Sequence, residues 1–359
     1  MKKWVWGALT GVVACAAAVT WALDSDGMID VEKFFGGDGL KGYSAPRAST
    51  RNIEDLRQRV LGDMVYIPGG SFKLGNVPVP VMLDGEVRNE LIYGPVVDAD
   101  RAPISIGSYY ISRFEVTNYD FDLYAAANDL SLRPDVPNGH ERQGPYPANI
   151  AYHQATGFCE WLSEITGHPF NLPTQEQWEY AARSGGHDVA YATQDGTYDY
   201  LAKLYHETLN DQPHTSHLPD AYPPNPIGLY AMSSNLSEWV LESWADPESG
   251  AVFENGFEGD PALRHRRVWR GSYHGAQASL NSLFMYGAAG QLHREDMLQY
   301  FPSKAPYFEP DLDVIYDGFS VGARCVVNIA DAPDKSGFGR PPGAIPDDFP
   351  KAFEPLKRR

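Results

Sequence analysis

Glycine and proline are so frequent along this chain that few long helices can form. The 359 residues include 34 glycines and 28 prolines, and both residue types favour turns and end regular elements. Hydrophobic residues make up 43% of the chain and aromatic residues 13%, which is enough for a packed core. We therefore predict a loop-rich α+β fold with short elements, in one large domain or two small ones.

The acidic composition limits the partners of the protein. A formal net charge of −18 argues against nucleic acid, whose phosphates need a basic surface. It also disfavours a tight electrostatic contact with anionic lipid. The simplest interpretation of the charge is solubility.

The N-terminus carries an export signal. Lys2 and Lys3 precede the uncharged apolar run Trp4–Leu23, whose twenty residues would form a helix of about 30 Å, long enough to span a bilayer. Paired lysines at the short end predict that the rest of the chain leaves the cytoplasm. We expect a periplasmic or other extracytoplasmic protein that is anchored to the membrane by residues 4–23.

Two other export routes remain open. The residues before Cys15 resemble a bacterial lipobox, which would make the protein a lipoprotein through Cys15. The small residues around Ala22 could instead form a signal-peptide cleavage site, which would leave the protein soluble. All three routes place the folded domain outside the cytoplasm.

Cysteine usage agrees with that compartment. Of the three cysteines, Cys15 lies in the export segment, and Cys159 and Cys325 are 166 residues apart. In an oxidising space two such thiols indicate one bridge, and closing so long a loop would stabilise the fold by roughly 4–5 kcal/mol. The alternative is a pair of buried, unpaired thiols.

Capping signals place the helices. Apolar spacing predicts a short amphipathic helix from Ile53 to Leu61. Thr117 can cap the start of a second helix, and a third is expected at 149–166 with Gly167 as its end. Thr174 and Gln177 have the spacing of a capping box at the start of a fourth.

The rest of the chain is predicted as short strands and loops. Strands are expected within 64–76, 104–116, 268–273 and 321–327, with an irregular insertion at 77–100 and loop from 185 to 228. The predicted layout is a signal segment at 1–23, a tether and short helix at 24–62, the main domain at 63–330 and a Pro-rich tail at 331–359. We expect that tail to be unpacked.

Several short blocks then occur in a characteristic order, and they are GGSFKLG at 69–75, EVTN at 115–118, LPTQEQWEYAARSGG at 172–186, PNPIGLYAMSSNLSEW at 224–239, RGSY at 270–273 and GARC at 322–325. Together they resemble the formylglycine-generating enzyme family, also called the sulfatase-modifying factor family, over residues 64–327. The resemblance implies a single α+β domain of the C-type-lectin-like fold. It also implies a disulfide between Cys159 and Cys325.

The chain departs from this family at the reaction centre. The family's two catalytic cysteines, which hold copper and activate oxygen, would fall at Gly275 and Leu280. A thiolate is indispensable to that chemistry because it is both a soft metal ligand and a redox-active group. We therefore predict no catalytic residues, no copper and no formylglycine formation.

The family's calcium sites are altered as well. The resemblance puts calcium ligands at Asn235 and Glu238, but Ala231 stands where the family has an oxygen ligand. Lys203 stands at a ligand position of the other site, where its ammonium group could replace the cation. Calcium needs six to eight oxygens, so the sequence predicts at most a weak calcium site and says nothing about iron.

The resemblance also implies a cleft that could hold an extended peptide, with residues Glu115, Ser237, Ser272, Tyr273 and His274 contributing to it. Adjacent Ser and His side chains rarely align for nucleophilic catalysis, and no GxSxG motif supports a hydrolase. The iron-binding HxxxHxE motif of the related sulfoxide synthases is absent.

One histidine cluster is a further metal candidate. His206, His214 and His217 lie near Glu207 and Asp211, and this residue set could bind a transition metal. The competing interpretation is a set of solvated loop histidines.

Two functions follow from these features. The first is a non-enzymatic, envelope-anchored accessory protein that holds an envelope protein or peptide in the former substrate cleft. The resemblance implies such roles for cysteine-less members, as regulators or immunity partners beside secretion systems. The alternative is a periplasmic, metal-dependent oxidoreductase or tailoring enzyme that acts on a peptide through a different active site.

Overall fold

The computed structural model describes residues 44–75, 79–83, 86–90, 102–130, 144–189, 191–197, 217–243, 266–271, 286–290, 321–333, 337–350 and 356–357. Within these ranges the helices are α1 (Thr50–Asp63), α2 (Asn118–Ala127), α3 (Tyr152–Thr166) and α4 (Gln175–Ala182). The strands are β1 (Met64–Ile67), β2 (Gly70–Phe72), β3 (Val79–Leu83), β4 (Glu86–Glu90), β5 (Ile104–Ile106), β6 (Tyr109–Ser112), β7 (Phe170–Asn171), β8 (Ser237–Ser243), β9 (Arg266–Arg270), β10 (Tyr286–Gly290), β11 (Val321–Gly322), β12 (Val326–Val327) and β13 (Leu356–Lys357). The predicted α+β fold with short elements is confirmed.

Local capping chemistry sets the helix ends, as the sequence predicted. The Thr117 side chain accepts a hydrogen bond from the Asp120 amide at the start of α2. At α4, Thr174 and Gln177 form a reciprocal capping box. Helix α3 ends at Gly167, whose φ of 75° lies in the left-handed region that glycine adopts without strain.

Two four-stranded sheets organise the domain. The first has the order β1-β6-β12-β7 and the second the order β10-β9-β8-β11. Strand β12 comes late in the chain yet lies between β6 and β7, where Val326 pairs with Ile111 on one side and Asn171 on the other. The remaining strands form a three-stranded sheet, β13-β3-β4, and the pair β2-β5.

The apolar side chains of these elements form two buried clusters. One joins helices α1, α2 and α3 to residues around β12, and the other joins β1, β6 and α4 to the 227–240 segment. Cys159 of α3 and Cys325 form a disulfide within the first cluster, and both residues are fully buried. This bond links helix α3 to the residue directly before β12, an interior strand of the first sheet.

Two regions differ from the sequence-based expectation. Residues 77–100 are not wholly irregular, because β3 and β4 pair as antiparallel strands from Val79↔Glu90 to Leu83↔Glu86. Pro80 lies within β3, where proline is unusual because it has no N–H to donate to a neighbouring strand. The tail beyond Ala330 is not unpacked either. Its Arg340 bridges to Val65, and β13 pairs with β3.

The described part of the chain has no helix that is long and apolar enough to cross a membrane. The predicted anchor at residues 4–23 lies outside the described residues, as does most of the predicted tether. The predicted loop between residues 185 and 228 contains no helix or strand among its described residues, 185–189, 191–197 and 217–228.

Candidate functional site

The sequence blocks meet around the start of β8. The turn before this strand is tight, since Asn235 has a φ of 71°, and it brings residues 235–238 against the segment between β6 and α2. Glu115 lies in that segment and Glu238 in β8, and both side chains are buried. The two carboxyl groups share one buried cationic neighbour, the guanidinium of Arg324.

Arg324 forms the centre of this arrangement. Its Nε donates to Oε2 of Glu238 at 2.6 Å, and its Nη2 donates to Oε1 at 2.6 Å. The remaining N–H groups donate to three backbone carbonyl oxygens at 2.9–3.3 Å, which belong to Ser112, Arg113 and Tyr230. All five donors of the guanidinium are therefore satisfied, as burial of a charged group requires.

Glu115 is held by the turn rather than by a cation. Its Oε2 accepts from Nδ2 of Asn235 at 2.7 Å, and its Oε1 accepts from the Leu236 amide at 3.1 Å. Burial and the neighbouring Glu238 carboxylate raise the pKa of Glu115 well above its usual value. Arg324 and the two hydrogen bonds oppose this rise but do not cancel it.

The residues at this position do not fit calcium. Both carboxylate oxygens of Glu238 are bonded to Arg324, and Oε2 also accepts from the Trp178 indole at 2.8 Å. Oδ1 of Asn235 accepts from the His217 amide at 2.9 Å. Calcium requires oxygens directed at the ion, and here those side-chain oxygens are directed at protein donors. The described residues also contain no group of three acidic, His or Cys side chains that could hold a metal.

A second buried network fixes the strand that leads to the family's cysteine positions. Glu179 of α4 accepts hydrogen bonds from Arg183 at 3.0 Å, from the Gly75 amide at 2.8 Å and from Arg270 at the end of β9. Gly271 follows with a φ of 80°, and a Cβ there would lie 3.1 Å from the ring of Trp178. Three of the sequence blocks are thus locked to one another at Glu179.

Of the five predicted cleft residues the structure describes Glu115 and Ser237, and it brings them together, because Glu115 accepts from the Leu236 amide beside Ser237. Glu115 and Ser237 are both buried, and Ser237 Oγ donates to the Gly271 carbonyl at 3.4 Å. The other predicted cleft residues and the two cysteine-equivalent positions lie outside the described residues, namely Ser272, Tyr273, His274, Gly275 and Leu280.

The histidine cluster is only partly described. His217 is buried, its ring packs edge-on against Tyr222, and its backbone is held by Asn235. The other members of the cluster lie outside the described residues, as does Lys203, and they are His206, Glu207, Asp211 and His214.

Sequence reasoning missed the residues that organise this region. Arg324 was recognised only as part of the GARC block, and Glu179 and Trp178 only as letters of the WEYAAR block. The sequence does contain a signal for these two charged residues, because Glu179 lies between Trp178 and Tyr180 and Arg324 between Ala323 and Cys325. Charged residues in such surroundings are expected to be paired when buried.

Several known proteins are similar to this chain in sequence. A family model for the sulfatase-modifying factor enzyme 1-like domain matches residues 50–319. A protein named serine/threonine-protein kinase pkn1, from Chlamydia pneumoniae, is 27% identical over 210 residues, covering 53% of this chain and 29% of its own length. The formylglycine-generating enzyme of Mus musculus is 22% identical over 241 residues, covering 52% of this chain and 60% of its own length.

One further relative and one solved structure are also similar to this chain. The inactive C-alpha-formylglycine-generating enzyme 2 of Mus musculus is 22% identical over 251 residues, covering 56% of this chain and 73% of the relative. The solved structure of PvdO from Pseudomonas aeruginosa is 21% identical, with a TM-score of 0.48, and the similarity covers 74% of this chain and 94% of PvdO. The chain thus spans less than two thirds of the kinase and of the mouse formylglycine-generating enzyme. With a family model matching most of its length, the chain belongs to the family of sulfatase-modifying factor enzyme 1-like domains.

Proposed function

We propose that this protein does not generate formylglycine and acts as a binding protein built on the family's fold. The observation that carries the proposal is the identity of two residues. Gly275 and Leu280 stand at the second and seventh positions after Tyr273 of the RGSY block, where the resemblance places the family's cysteine pair. Neither residue can ligate copper or transfer electrons, so the protein lacks the thiolates that the reaction requires.

The buried charges support a scaffold role. Glu238 is paired with Arg324, and Glu179 with Arg183 and Arg270. These charged groups are buried and already paired inside the protein, and we propose that they hold the sequence blocks in one arrangement. The match to a relative that is named an inactive enzyme is in keeping with a non-catalytic member.

The finer part of the proposal concerns location and partner. We propose that the protein is exported, is anchored to the membrane through residues 4–23 and holds an envelope protein or peptide in the former substrate cleft. The uncharged run after two lysines supports the anchor. The segment Ser272–His274 would contribute to the cleft. In the chain it directly follows Gly271, the residue after β9.

A peptide-conversion assay tests the loss of catalysis. The protein is incubated with copper and a peptide containing CxPxR, and aldehyde formation is followed by mass spectrometry beside an active formylglycine-generating enzyme. We expect no conversion by the wild-type protein. Conversion at a rate above the protein-free control would overturn the proposal. The matched variant Gly275→Cys/Leu280→Cys shows whether restored thiols alone recover copper binding.

Metal content and crosslinking test the binding role. One equivalent of iron or copper per purified protein would favour a metal-dependent oxidoreductase instead. A photo-crosslinking residue at His274 should capture one defined envelope protein in cells. The same group at Leu130, which is 45% exposed, serves as the control. Equal capture from both positions would contradict a partner-specific cleft.

A further inference from the structure

The edge of β1 that does not pair with β6 contacts a C-terminal segment, which we call the strap and define as residues 337–350. One edge of β1 pairs with β6, and the other accepts Arg340 as a parallel bridge to Val65. The Arg340 amide donates to the Met64 carbonyl at 2.7 Å, and the Tyr66 amide donates to the Arg340 carbonyl at 2.9 Å. The strap therefore adds backbone to the sheet as an extended peptide would.

The side chain of Arg340 binds beside that edge, next to the carboxylate of Asp63. Its Nη2 lies 3.1 Å from Oδ1 of Asp63, and its Nε donates to the Gly62 carbonyl at 3.0 Å. The Asp63 side chain is only 11% exposed and that of Arg340 30%. A partly buried, charge-assisted pair of this kind selects a guanidinium by geometry as well as by charge.

Two residues before Arg340, the strap residue Phe338 packs against aromatic rings of the domain. The Phe338 ring stacks on His168, with centroids 4.3 Å apart and an interplanar angle of 16°, and it contacts Tyr110 at 4.6 Å. Gly339 lies between the two anchors with a φ of 71°, and a Cβ at this residue would collide with the Tyr110 ring. The Gly339 amide also donates to the Leu61 carbonyl at 2.7 Å. Only glycine fits at the middle position.

We infer that the edge of β1 is a recognition site for a Phe-Gly-Arg segment with a left-handed glycine, which residues 338–340 fill as an internal ligand. When the strap opens, the site accepts the same tripeptide from a partner protein. The site has the two parts that peptide-binding domains use, backbone pairing along a sheet edge and pockets for alternate side chains. The strap lies beyond residues 50–319, the part matched by the family model.

This inference does not depend on the proposed cleft, which lies beyond β9. An internal ligand has the advantage of a high effective concentration, on the order of millimolar for a short tether. A free peptide therefore binds the wild-type protein weakly, because the competent state is a minor one. Removing the two internal anchors should release the site to the peptide.

The test uses a fluorescent peptide of residues 335–342 and the full-length chain. We expect the variant Phe338→Ala/Arg340→Ala to bind this peptide at least tenfold more tightly than the wild-type protein does, measured by fluorescence anisotropy. A control peptide carrying Gly339→Ala should bind the variant at least tenfold more weakly. Absence of saturable binding to the variant, or equal binding of the control peptide, would overturn the inference.

A second measurement needs no variant. Hydrogen exchange on the wild-type protein should show the strap amides of Gly339 and Arg340, with Tyr66 of β1, at least tenfold less protected than the Ser112 amide, which donates to the Cys325 carbonyl inside the sheet. Such a difference means that the strap opens without global unfolding. Equal protection would mean that the strap never leaves its site in the folded protein, and the inference would be wrong.

Discussion

Replacing Arg324 with methionine should strongly destabilise the domain. The substitution keeps an unbranched apolar stem but removes five hydrogen bonds, two of them to the buried carboxylate of Glu238. Among the described residues, the Trp178 indole would be the remaining side-chain donor to Glu238. Breaking a buried ion pair from one side costs about 3–5 kcal/mol, since a charge is left without its partner.

The size of the pairwise effect can be isolated with a double-mutant cycle. Glu238→Gln alone leaves Arg324 as an uncompensated buried cation, whereas the double variant leaves neither charge. We expect a coupling energy of about 1–3 kcal/mol, measured by urea unfolding of the oxidised proteins and followed by tryptophan fluorescence. Losses that add to within about 0.5 kcal/mol would refute the idea that the two residues act as a unit.

An exposed arginine provides the matched control for this cycle. Arg51 lies 3.7 Å from Asp55 in α1, and its side chain is 88% exposed. Exposed pairs of this kind contribute little to stability because water and salt screen them. Arg51→Met should therefore leave the urea midpoint unchanged. A loss comparable to that of Arg324→Met would show that the assay reports net charge rather than the buried pair.

Three other perturbations test the site and the frame around it. The folded-state pKa of Glu115 is raised, so its contribution to stability is fully present below the unfolded-state pKa and is lost as pH rises through the folded-state value. The unfolding free energy of the wild type relative to Glu115→Gln should therefore fall with increasing pH in a urea series, and a constant difference would contradict the raised pKa. Thr174→Ala removes the acceptor of the Gln177 amide and should cost about 1 kcal/mol by thermal unfolding, whereas Thr174→Ser should cost much less. Cys159→Ser/Cys325→Ser opens a loop of 166 residues and should cost roughly 4–5 kcal/mol, while added reductant should destabilise the wild type but leave this variant unchanged.

Local signals in the sequence predicted the elements better than their partners. Thr117, Gly167 and Thr174 announce helix ends because their chemistry acts within a few residues. The pairing of Glu238 with Arg324 joins residues 86 positions apart, and no local pattern encodes such a contact. The family resemblance supplied both blocks without saying which side chains meet.

The Pro-rich tail shows a different limit of sequence reasoning. Its composition is typical of unpacked chain, and residues such as Pro341 and Asp347 are indeed exposed. The strap is nevertheless held by specific contacts, among them those of Phe338, Gly339 and Arg340, and overall composition gives no indication of such contacts.

The position of β12 has a consequence for how the molecule is made. Residues Val326 and Val327 lie between β6 and β7, although both of those strands are synthesised long before them. During translation the first sheet therefore lacks its inner strand, and Arg324 and Cys325 arrive with it. The growing chain cannot complete its core from the N-terminus onward, and high sequence separation of this kind slows folding. Any chaperone or translocation machinery that handles the protein therefore meets an incomplete first sheet until β12 has been made.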